Sequence, residues 1–235
     1  MTTLPLAIIG LGKMGRAVEQ LAPDRDFSVV ARLGRGEAIT AGSLNGAAVA
    51  IEFTEPAAAV ANIRACLAAG CPVVTGTTGW YGELPSVRDE VLARRGALLT
   101  APNFSLGVAV FARLIAEAAR RFAAVPGFDA HLVEIHHSAK KDAPSGTAVA
   151  LADAGTRARG APIPITSVRT GSVPGTHELI FDAPFEQVRL VHEARDRRVF
   201  AEGALTAARW IVGREGIFTM DDVIASSDLP TSRQR

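Results

Sequence analysis

The stretch EIHHSAKKDAPSGTA, residues 134–148, concentrates side chains that exchange protons and bind anions. It contains His136, His137, Lys140 and Lys141, although lysine is rare in this chain: three of the 25 basic residues are lysines and the rest are arginines. An ammonium group is a compact charge that gives up a proton when its surroundings lower its pKa, which a guanidinium group does not do. The stretch therefore predicts an anion site at which a proton is transferred.

The same stretch contains the start of a predicted helix. Pro144, Ser145, Gly146 and Thr147 precede a helical run, and the first backbone N–H groups of a helix have no partners within it. Helix N-termini attract anions for this reason. Together with an imidazole that titrates near neutral pH, this arrangement suits a small carboxylate substrate and a proton donor.

His136 and His137 end a predicted strand, AHLVEIHH, so their side chains are expected to point to opposite faces. One of them should face the same cleft as Lys140, and Asp142 could orient either cation. The other three histidines are interpreted as structural residues with satisfied ring nitrogens: His131, His177 and His192.

The segment GLGKMG places Gly10, Gly12 and Gly15 in the G-x-G-x-x-G spacing, directly after a predicted strand and at the start of a helix. Gly10 would permit the tight turn, Gly12 the approach of a pyrophosphate, and Gly15 the packing of helix on strand. This context favours dinucleotide binding over a purely structural glycine turn.

The second predicted strand ends in ARLGRGE, without the acidic residue that grips a ribose diol at its usual place. Arg32 and Arg35 stand nearby, and an arginine there can hold a 2′-phosphate. This pattern favours NADPH over NADH. Arg32 has two alternative interpretations. It could be a solvated charge in the loop, or it could stack on the adenine of the cofactor while the protein accepts both NADPH and NADH.

Two further loops follow predicted strands: GTTGW after Val74 and APNFS after Thr100. Ligands of open parallel sheets bind beyond the carboxyl ends of the strands, and small residues let the backbone approach a flat ring. Both loops are therefore candidate cofactor contacts, with ordinary turn chemistry as the alternative.

The first hundred residues alternate apolar strands with helical patterns. Strands are expected at residues 6–10, 27–31, 48–53, 71–76 and 97–101, with helices between most of them. Such alternation predicts an α/β fold with a doubly wound parallel sheet of the Rossmann type.

From Asp129 the pattern changes to a second, sheet-based domain of the α+β class with a mixed sheet. Strands are expected in AHLVEIHH, HELIFDA, FEQVRLVHEA and RRVFAEGAL, and RGAPIPITSVRTGSVPGT is expected to be a long irregular loop. The helix before it should bury a stripe of apolar residues at helical spacing. These are Phe111, Leu114, Ile115, Ala118 and Phe122.

Whole-chain composition excludes several classes. The 235 residues are 48% hydrophobic, which fits a globular protein. The net charge of +1 produces no strong electrostatic field that would attract nucleic acid or an anionic membrane surface. Two cysteines without metal-ligand spacing indicate no disulfide framework and no metal site. No signal segment or membrane helix is expected, so the interpretation is a cytoplasmic protein.

The chain closely resembles the dihydrodipicolinate reductase (4-hydroxy-tetrahydrodipicolinate reductase) family of bacterial lysine and diaminopimelate biosynthesis. The resemblance spans nearly the whole chain and rests on GLGKMGR, EFTEP, GTTGW, APNFSLGV, EIHHSAKKDAPSGTA, RTGSVPGTH, FAEGAL and FTMDDVI. It implies hydride transfer from NADPH or NADH to C4 of a cyclic hydroxy-imine that carries two carboxylates, with loss of water.

By this resemblance His136 is the proton donor or acceptor and Lys140 a second proton donor. Substrate contacts are implied for His137, Ser145, Gly146 and Thr147. Cofactor contacts are implied for Gly10, Gly12, Lys13, Met14, Gly15, Arg32, Gly76, Thr77, Thr78, Ala101, Pro102, Asn103 and Phe104.

The resemblance also implies a domain organisation. Residues 1–104 with 206–235 would form the dinucleotide-binding domain, and residues 105–205 the domain for substrate binding and assembly into a homotetramer. The segment between Arg32 and Asn45 is short for the family, so the contacts to the adenosine end are expected to differ. Glu52 in EFTEP replaces a common aspartate and keeps a strand-end carboxylate.

Other functions remain open from the sequence alone. A reductase of another small imino or oxo acid would share the nucleotide-binding half, and a non-catalytic dinucleotide sensor would not need His136 and Lys140. The residues also leave open how proton transfer divides between the imidazole and the ammonium.

Overall fold

The structure, a computed structural model, describes residues 2–226, which form two compact units. Within that range the first unit comprises residues 2–106 and 198–226, and the second comprises residues 107–197. Met1 and residues 227–235, which the sequence assigns to the nucleotide-binding domain, lie outside the described residues.

The elements follow one another in the order β1 (Leu4–Ile9), α1 (Lys13–Leu21), β2 (Phe27–Leu33), β3 (Val49–Glu52), α2 (Pro56–Ala68), β4 (Val73–Thr75), α3 (Leu84–Ala93), β5 (Ala97–Thr100), α4 (Leu106–Ala123), β6 (Asp129–His136), α5 (Gly146–Arg159), β7 (Ile165–Arg169), β8 (Thr176–Ala183), β9 (Glu186–Glu193), α6 (Arg198–Ile211), β10 (Gly216–Phe218) and α7 (Met220–Ala225). Among these described elements, no helix has the length and apolarity to cross a membrane.

The first unit is built on a six-stranded parallel sheet with the order β10-β5-β4-β3-β1-β2. Apolar residues of α2 and α3 pack against alternate strand residues, among them Ala7, Val73 and Leu98. Helices α1 and α6 pack together, and α6 contacts β3 and β4. Strands with apolar residues on both faces are typical of sheets covered by helices on both sides. The predicted doubly wound Rossmann-type sheet is confirmed.

The second unit contains a four-stranded mixed sheet in the order β7-β6-β8-β9. β6 and β7 are parallel, whereas β6, β8 and β9 form antiparallel pairs. Leu132 and Leu179 on one face of the sheet join a buried cluster with residues of α4 and α5. This confirms the expected α+β fold with a mixed sheet.

The prediction of a strand over RRVFAEGAL is wrong, because these residues lie mainly in helix α6. Its buried residues include Ala201, Ala204, Leu205 and Ala208, which recur at helical spacing. Small side chains weaken the hydrophobic pattern that identifies a helix, but they allow close packing. A Cβ atom at Gly203 would lie 1.7 Å from the carbonyl oxygen of Phe104.

Two smaller expectations are also wrong. The stretch predicted as one irregular loop contains β7, whose five residues pair with Leu132–His136 of β6. The strand is short and lies at the sheet edge, so it has little local signal. In α4 the predicted stripe is confirmed for Phe111 and Ile115, which are buried, and for Ala118 and Phe122, which pack against the same core, but Leu114 is exposed.

Candidate active site

The glycine-rich turn between β1 and α1 has no room for side chains at two of its three glycines. Gly10 has a φ of +94°, and a Cβ atom there would lie 2.0 Å from the carbonyl oxygen of Phe53. A Cβ atom at Gly15 would lie 1.9 Å from the carbonyl oxygen of Gly10. These two glycines let α1 begin close to the ends of β1 and β3.

Gly12 has a different environment, since no atom lies within 4 Å of the position its Cβ would take. It is the N-cap of α1 without a side-chain cap, and it lines a cavity of about 320 Å³. The cavity is also lined by residues 33–37 after β2 and by residues 53–55 after β3. Lys13, Met14 and Gly15 form the first turn of α1. An uncapped helix start that opens on a cavity fits the phosphates of a dinucleotide.

The end of β2 differs from the sequence-based interpretation. Arg32 pairs with Glu19 of α1 at 2.5 Å, and it is absent from the cavity lining. Arg35 lines the cavity and forms an ion pair of 3.0 Å with Glu55. Glu37 also lines the cavity, and its carboxylate accepts a hydrogen bond from the Gly34 backbone. An acidic side chain therefore lies beyond β2 after all, a few residues later than the usual pattern places it.

The loop after β4 lies against the end of β3. A Cβ atom at Gly76 would lie 2.0 Å from the ring of Phe53, and the hydroxyl of Thr77 accepts a hydrogen bond of 2.8 Å from the Thr54 backbone. Thr78 is exposed. These contacts bring the GTT loop to the edge of the sheet that also holds the glycine turn.

The loop after β5 is brought to the same edge by an aromatic contact. Phe104 is buried and its ring packs edge-on against that of Phe53, with centroids 5.7 Å apart. Ala101 is buried, Pro102 is exposed, and the side chain of Asn103 accepts a hydrogen bond from the backbone of Ser105. The predicted loop residues thus share the carboxyl edge of the sheet with Gly10 and Gly12.

Glu52, the predicted strand-end carboxylate, is completely buried. It accepts hydrogen bonds from the hydroxyls of Thr54 and Thr75 and from the Asn62 amide. Such a fully bonded carboxylate stabilises the connection between β3, β4 and α2.

In the second unit, His136 lies at the end of β6 with 8% of its surface exposed. Its Nδ1 forms a hydrogen bond with Oε2 of Glu134, which lies two residues earlier and therefore on the same face of the strand. Burial lowers the pKa of His136, Glu134 opposes that effect, and the charges of Lys140 and Arg169 add to it. The imidazole is held by one nitrogen, which leaves Nε2 for proton exchange.

Glu134 is completely buried, but it is not isolated. Its Oε1 accepts hydrogen bonds from Nη2 of Arg169 at 2.7 Å and from the Ser145 backbone at 3.3 Å. Burial acts to raise the pKa of Glu134, but hydrogen bonds from Arg169, Ser167 and His136 outweigh it and lower the pKa to about 2. The carboxylate is therefore ionised at neutral pH.

Lys140 pairs with Asp142 through both carboxylate oxygens, at 2.8 and 2.9 Å. The hydrogen bond from Lys140 lowers the pKa of Asp142. The sequence left open whether Asp142 orients a histidine or Lys140, and the structure pairs it with Lys140. The loop is tied to the sheet, since Nη2 of Arg169 also donates to the carbonyl of Asp142 at 2.6 Å.

The predicted substrate contacts lie around the start of α5. Ser145 is its N-cap and accepts a hydrogen bond of 3.1 Å from the Ala148 backbone. Gly146 and Thr147 form the first helical positions, and a Cβ atom at Gly146 would meet open space. His137 is only partly buried, and its Nε2 accepts a hydrogen bond of 2.9 Å from Arg197.

The interpretation of three satisfied structural histidines is confirmed for His131, which bonds the hydroxyl of Thr166 at 2.8 Å. It is wrong for His177, whose two buried ring nitrogens have no hydrogen-bond partner, and Nδ1 of His192 is also buried without one. The ring of His177 packs edge-on against that of His136, with centroids 5.3 Å apart. Burial, and then the charges of His136 and His192, lower the pKa of His177 to about 4.

Sequence reasoning missed Glu134, Arg169 and Arg197 as members of this site. For Glu134 a signal existed, because residues two apart on a strand share a face. Arg169 reaches the site only through the pairing of β6 with β7, and Arg197 only through the fold of the second unit. No group of three or more His, Cys, Asp or Glu side chains within residues 2–226 is arranged to hold a metal ion.

Comparison with known proteins places both units in one family. The family model described as "Dihydrodipicolinate reductase, N-terminus" matches residues 4–104, and "Dihydrodipicolinate reductase, C-terminus" matches residues 107–224. Among curated relatives, the 4-hydroxy-tetrahydrodipicolinate reductase of Christiangramia forsetii is 36% identical over 234 residues, covering 94% of this chain and 97% of its own. That of Methanosarcina mazei is 40% identical over 195 residues, covering 75% and 72% respectively.

Solved structures agree at the level of the fold. A dipicolinate-bound dihydrodipicolinate reductase from Paenisporosarcina sp. TG-14 matches with a TM-score of 0.78 at 22% identity, covering 93% of this chain and 98% of its own. An inositol dehydrogenase homologue from Azotobacter vinelandii, complexed with NADH and myo-inositol, matches with a TM-score of 0.57 at 13% identity, covering 95% and 87%. Taken with the two family models and the curated relatives, the match is decisive: this chain belongs to the dihydrodipicolinate reductase family.

Proposed function

We propose that the chain reduces 4-hydroxy-tetrahydrodipicolinate to tetrahydrodipicolinate with NAD(P)H, releasing water, in lysine and diaminopimelate biosynthesis. One observation carries the assignment: within residues 134–148 the second unit assembles an oriented imidazole, a paired ammonium and a helix N-terminus. These groups suit a substrate with two carboxylates whose reduction takes up a proton. The curated relatives bear the name of this activity.

The first unit is the dinucleotide-binding domain in this proposal, and the described residues fit the cofactor. Gly12 leaves open space at the start of α1, and the adjoining cavity extends to the end of β2. The pyrophosphate would lie at the α1 N-terminus, with Arg35 at the adenosine end and the loops at Gly76–Thr78 and Ala101–Phe104 along the remainder. When bound, NAD(P)H supplies the hydride.

The second unit is the substrate domain. The N-terminus of α5 at Ser145, Gly146 and Thr147 binds one carboxylate, and His137 contributes a further polar contact. His136 exchanges the proton through Nε2, because Nδ1 is occupied by Glu134. Lys140 provides positive charge for a carboxylate and a second proton donor.

The second unit also forms the surface for homotetramer assembly in this proposal. Val168 and Val191 lie on the sheet face opposite that of Leu132, and both are exposed in the single chain. A sheet face that exposes apolar side chains can be buried against another subunit. We place the protein in the cytoplasm, where the reduced cofactor and the substrate would be available.

The test is oxidation of NADPH, and separately of NADH, by purified protein supplied with the freshly prepared condensation product of pyruvate and aspartate semialdehyde. We expect oxidation that requires both protein and substrate. His136→Ala and Lys140→Ala should each reduce kcat by about 100-fold or more, because a positioned proton donor contributes that much. Both variants should bind NADPH with nearly unchanged affinity. Lys141→Ala is the matched control, since Lys141 is an exposed neighbour.

Other outcomes distinguish the alternatives. Absence of oxidation in folded protein that binds nucleotide would reject this substrate, and turnover of another imino or oxo acid would then identify a related reductase. Nucleotide binding with no reaction on any such acid would indicate a sensor. Loss of NADPH affinity in both His136→Ala and Lys140→Ala would contradict the separation of cofactor and substrate residues.

A further inference from the structure

The Glu134 carboxylate connects groups that the reaction uses separately. One oxygen accepts the Nδ1 proton of His136, and the other accepts hydrogen bonds from Arg169 and from the backbone of Ser145, the N-cap of α5. Arg169 in turn donates to the carbonyl of Asp142, whose carboxylate holds Lys140. One buried carboxylate is thus bonded directly to His136 and to the N-cap of α5, and through Arg169 to the loop that holds Lys140.

A buried ionised carboxylate is costly unless it is paired and hydrogen-bonded. Glu134 meets this condition through Arg169, whose side chain is itself largely buried. The arginine charge keeps Glu134 ionised, and an ionised carboxylate accepts hydrogen bonds only. Nδ1 of His136 must therefore carry a proton in both the neutral and the charged imidazole.

We infer that Glu134, kept ionised by Arg169, is a positioning residue that fixes the tautomer of His136 and allows its imidazole to take up the catalytic proton at Nε2. This inference rests on the proposed function for the role of His136, but the tautomer is a property of the protein alone. Carboxylate–imidazole pairs orient histidines in this way in other sites. Without the carboxylate, burial and the charges of Lys140 and Arg169 would act on His136 unopposed.

The substitution Glu134→Gln tests the inference because a glutamine side chain has one oxygen. Arg169 and the Ser145 N–H both donate to the position of Oε1, so the amide oxygen should occupy that position. The amide NH₂ then faces Nδ1 of His136, which must become an acceptor. The neutral imidazole is therefore expected to change from the Nδ1–H to the Nε2–H tautomer.

Nitrogen-15 NMR of histidine-labelled protein reads the tautomer directly, and the spectrum of His136→Gln assigns the signal. We expect Nδ1–H in the wild-type protein, Nε2–H in Glu134→Gln, and a lower pKa of His136 in that variant. Activity should fall by about 10- to 100-fold in kcat, with KM for NAD(P)H nearly unchanged. Glu117→Gln is the matched control, since Glu117 lies on the surface of helix α4 and pairs with Arg120 and Arg121.

An Nε2–H tautomer of His136 in the wild-type protein would overturn the inference, even if Glu134→Gln did not fold. Wild-type turnover in both Glu134→Gln and Glu117→Gln would also overturn it. If the wild-type protein shows no reductase activity but the NMR result is as expected, the proposed function fails while the positioning of His136 by Glu134 stands.

Discussion

Mild acid is expected to destabilise the second unit through His177. The ring is 4% exposed, has no hydrogen-bond partner, and has a pKa lowered from 6.5 to about 4 by burial and by the charges of His136 and His192. In the unfolded chain the pKa returns to its ordinary value. Between these two values the unfolded chain binds a proton that the folded chain does not, so stability falls as the pH falls through this range.

The size of the effect follows from the two pKa values. A tenfold change in proton affinity is worth about 1.4 kcal/mol, so the complete transition costs about 3 kcal/mol, of which about 2 kcal/mol is lost between pH 7 and pH 5. Glu134 affects stability at lower pH. Its pKa of about 2 in the folded protein lies below the ordinary value of 4.5, so its contribution to the free energy of unfolding is lost only as the pH falls below 4.5. The pKa values of His136 and His192 are also lowered, so they add an effect of the same sign.

The substitution His177→Phe removes the titrating group and keeps a buried ring. Urea unfolding followed by circular dichroism at both pH values should show that the wild-type protein loses about 2 kcal/mol more than this variant. His131→Phe is the control, because His131 lies in the same sheet but bonds Thr166 and is partly exposed. Equal pH dependence in the wild type and His177→Phe would refute the reasoning, whatever the absolute stability of the variant.

Two further predictions concern the first unit. Arg35→Ala should raise KM for NADPH about tenfold and change KM for NADH much less. Arg32→Ala should have little effect on either KM, because of these two arginines only Arg35 lines the cavity. Equal changes in KM for both cofactors in Arg35→Ala would show that Arg35 does not bind the 2′-phosphate. Gly203→Ala should lower the free energy of unfolding by about 1–3 kcal/mol, since its Cβ would overlap the Phe104 carbonyl. Gly82→Ala, which meets open space, is the control in thermal unfolding, and similar melting temperatures for the two variants would contradict this packing argument.

The parallel sheet and its glycine turn could be predicted from the sequence because their signals are local. Five of the six strands of the first unit are short, largely apolar runs that the sequence identified, and Gly10 lies directly after the first of them, whereas β10 was not predicted. Helix α6 could not be identified in this way, since its buried face is made mostly of alanine and glycine. Strand β7 was missed because an edge strand of five residues is defined mainly by its pairing with β6.

The candidate site shows the same division between local and non-local information. The spacing within residues 134–148 identified His136, Lys140 and the start of α5, but only the fold shows that Arg169 joins them. The sequence offered Arg32 and Arg35 for the 2′-phosphate contact, and only the structure shows that Arg35 lines the cavity whereas Arg32 pairs with Glu19. Both arginines form ion pairs, so the distinction between them comes from the path of the chain after β2, which a single sequence does not reveal.

The structure also bears on how the proton transfers divide between the two donors. Lys140 is one half of an ion pair with Asp142, and substrate carboxylates would be further anions beside it. Burial lowers the pKa of His136, the ionised Glu134 opposes this effect, and the charges of Lys140 and Arg169 add to it. A lowered pKa makes the protonated imidazole a stronger acid than a free histidine, which favours donation of its proton to a bound substrate. We therefore assign the main proton transfer to His136 and pairing with a substrate carboxylate to Lys140, and a pH–rate profile that retains its limb in His136→Gln but loses it in Lys140→Met would reverse that assignment.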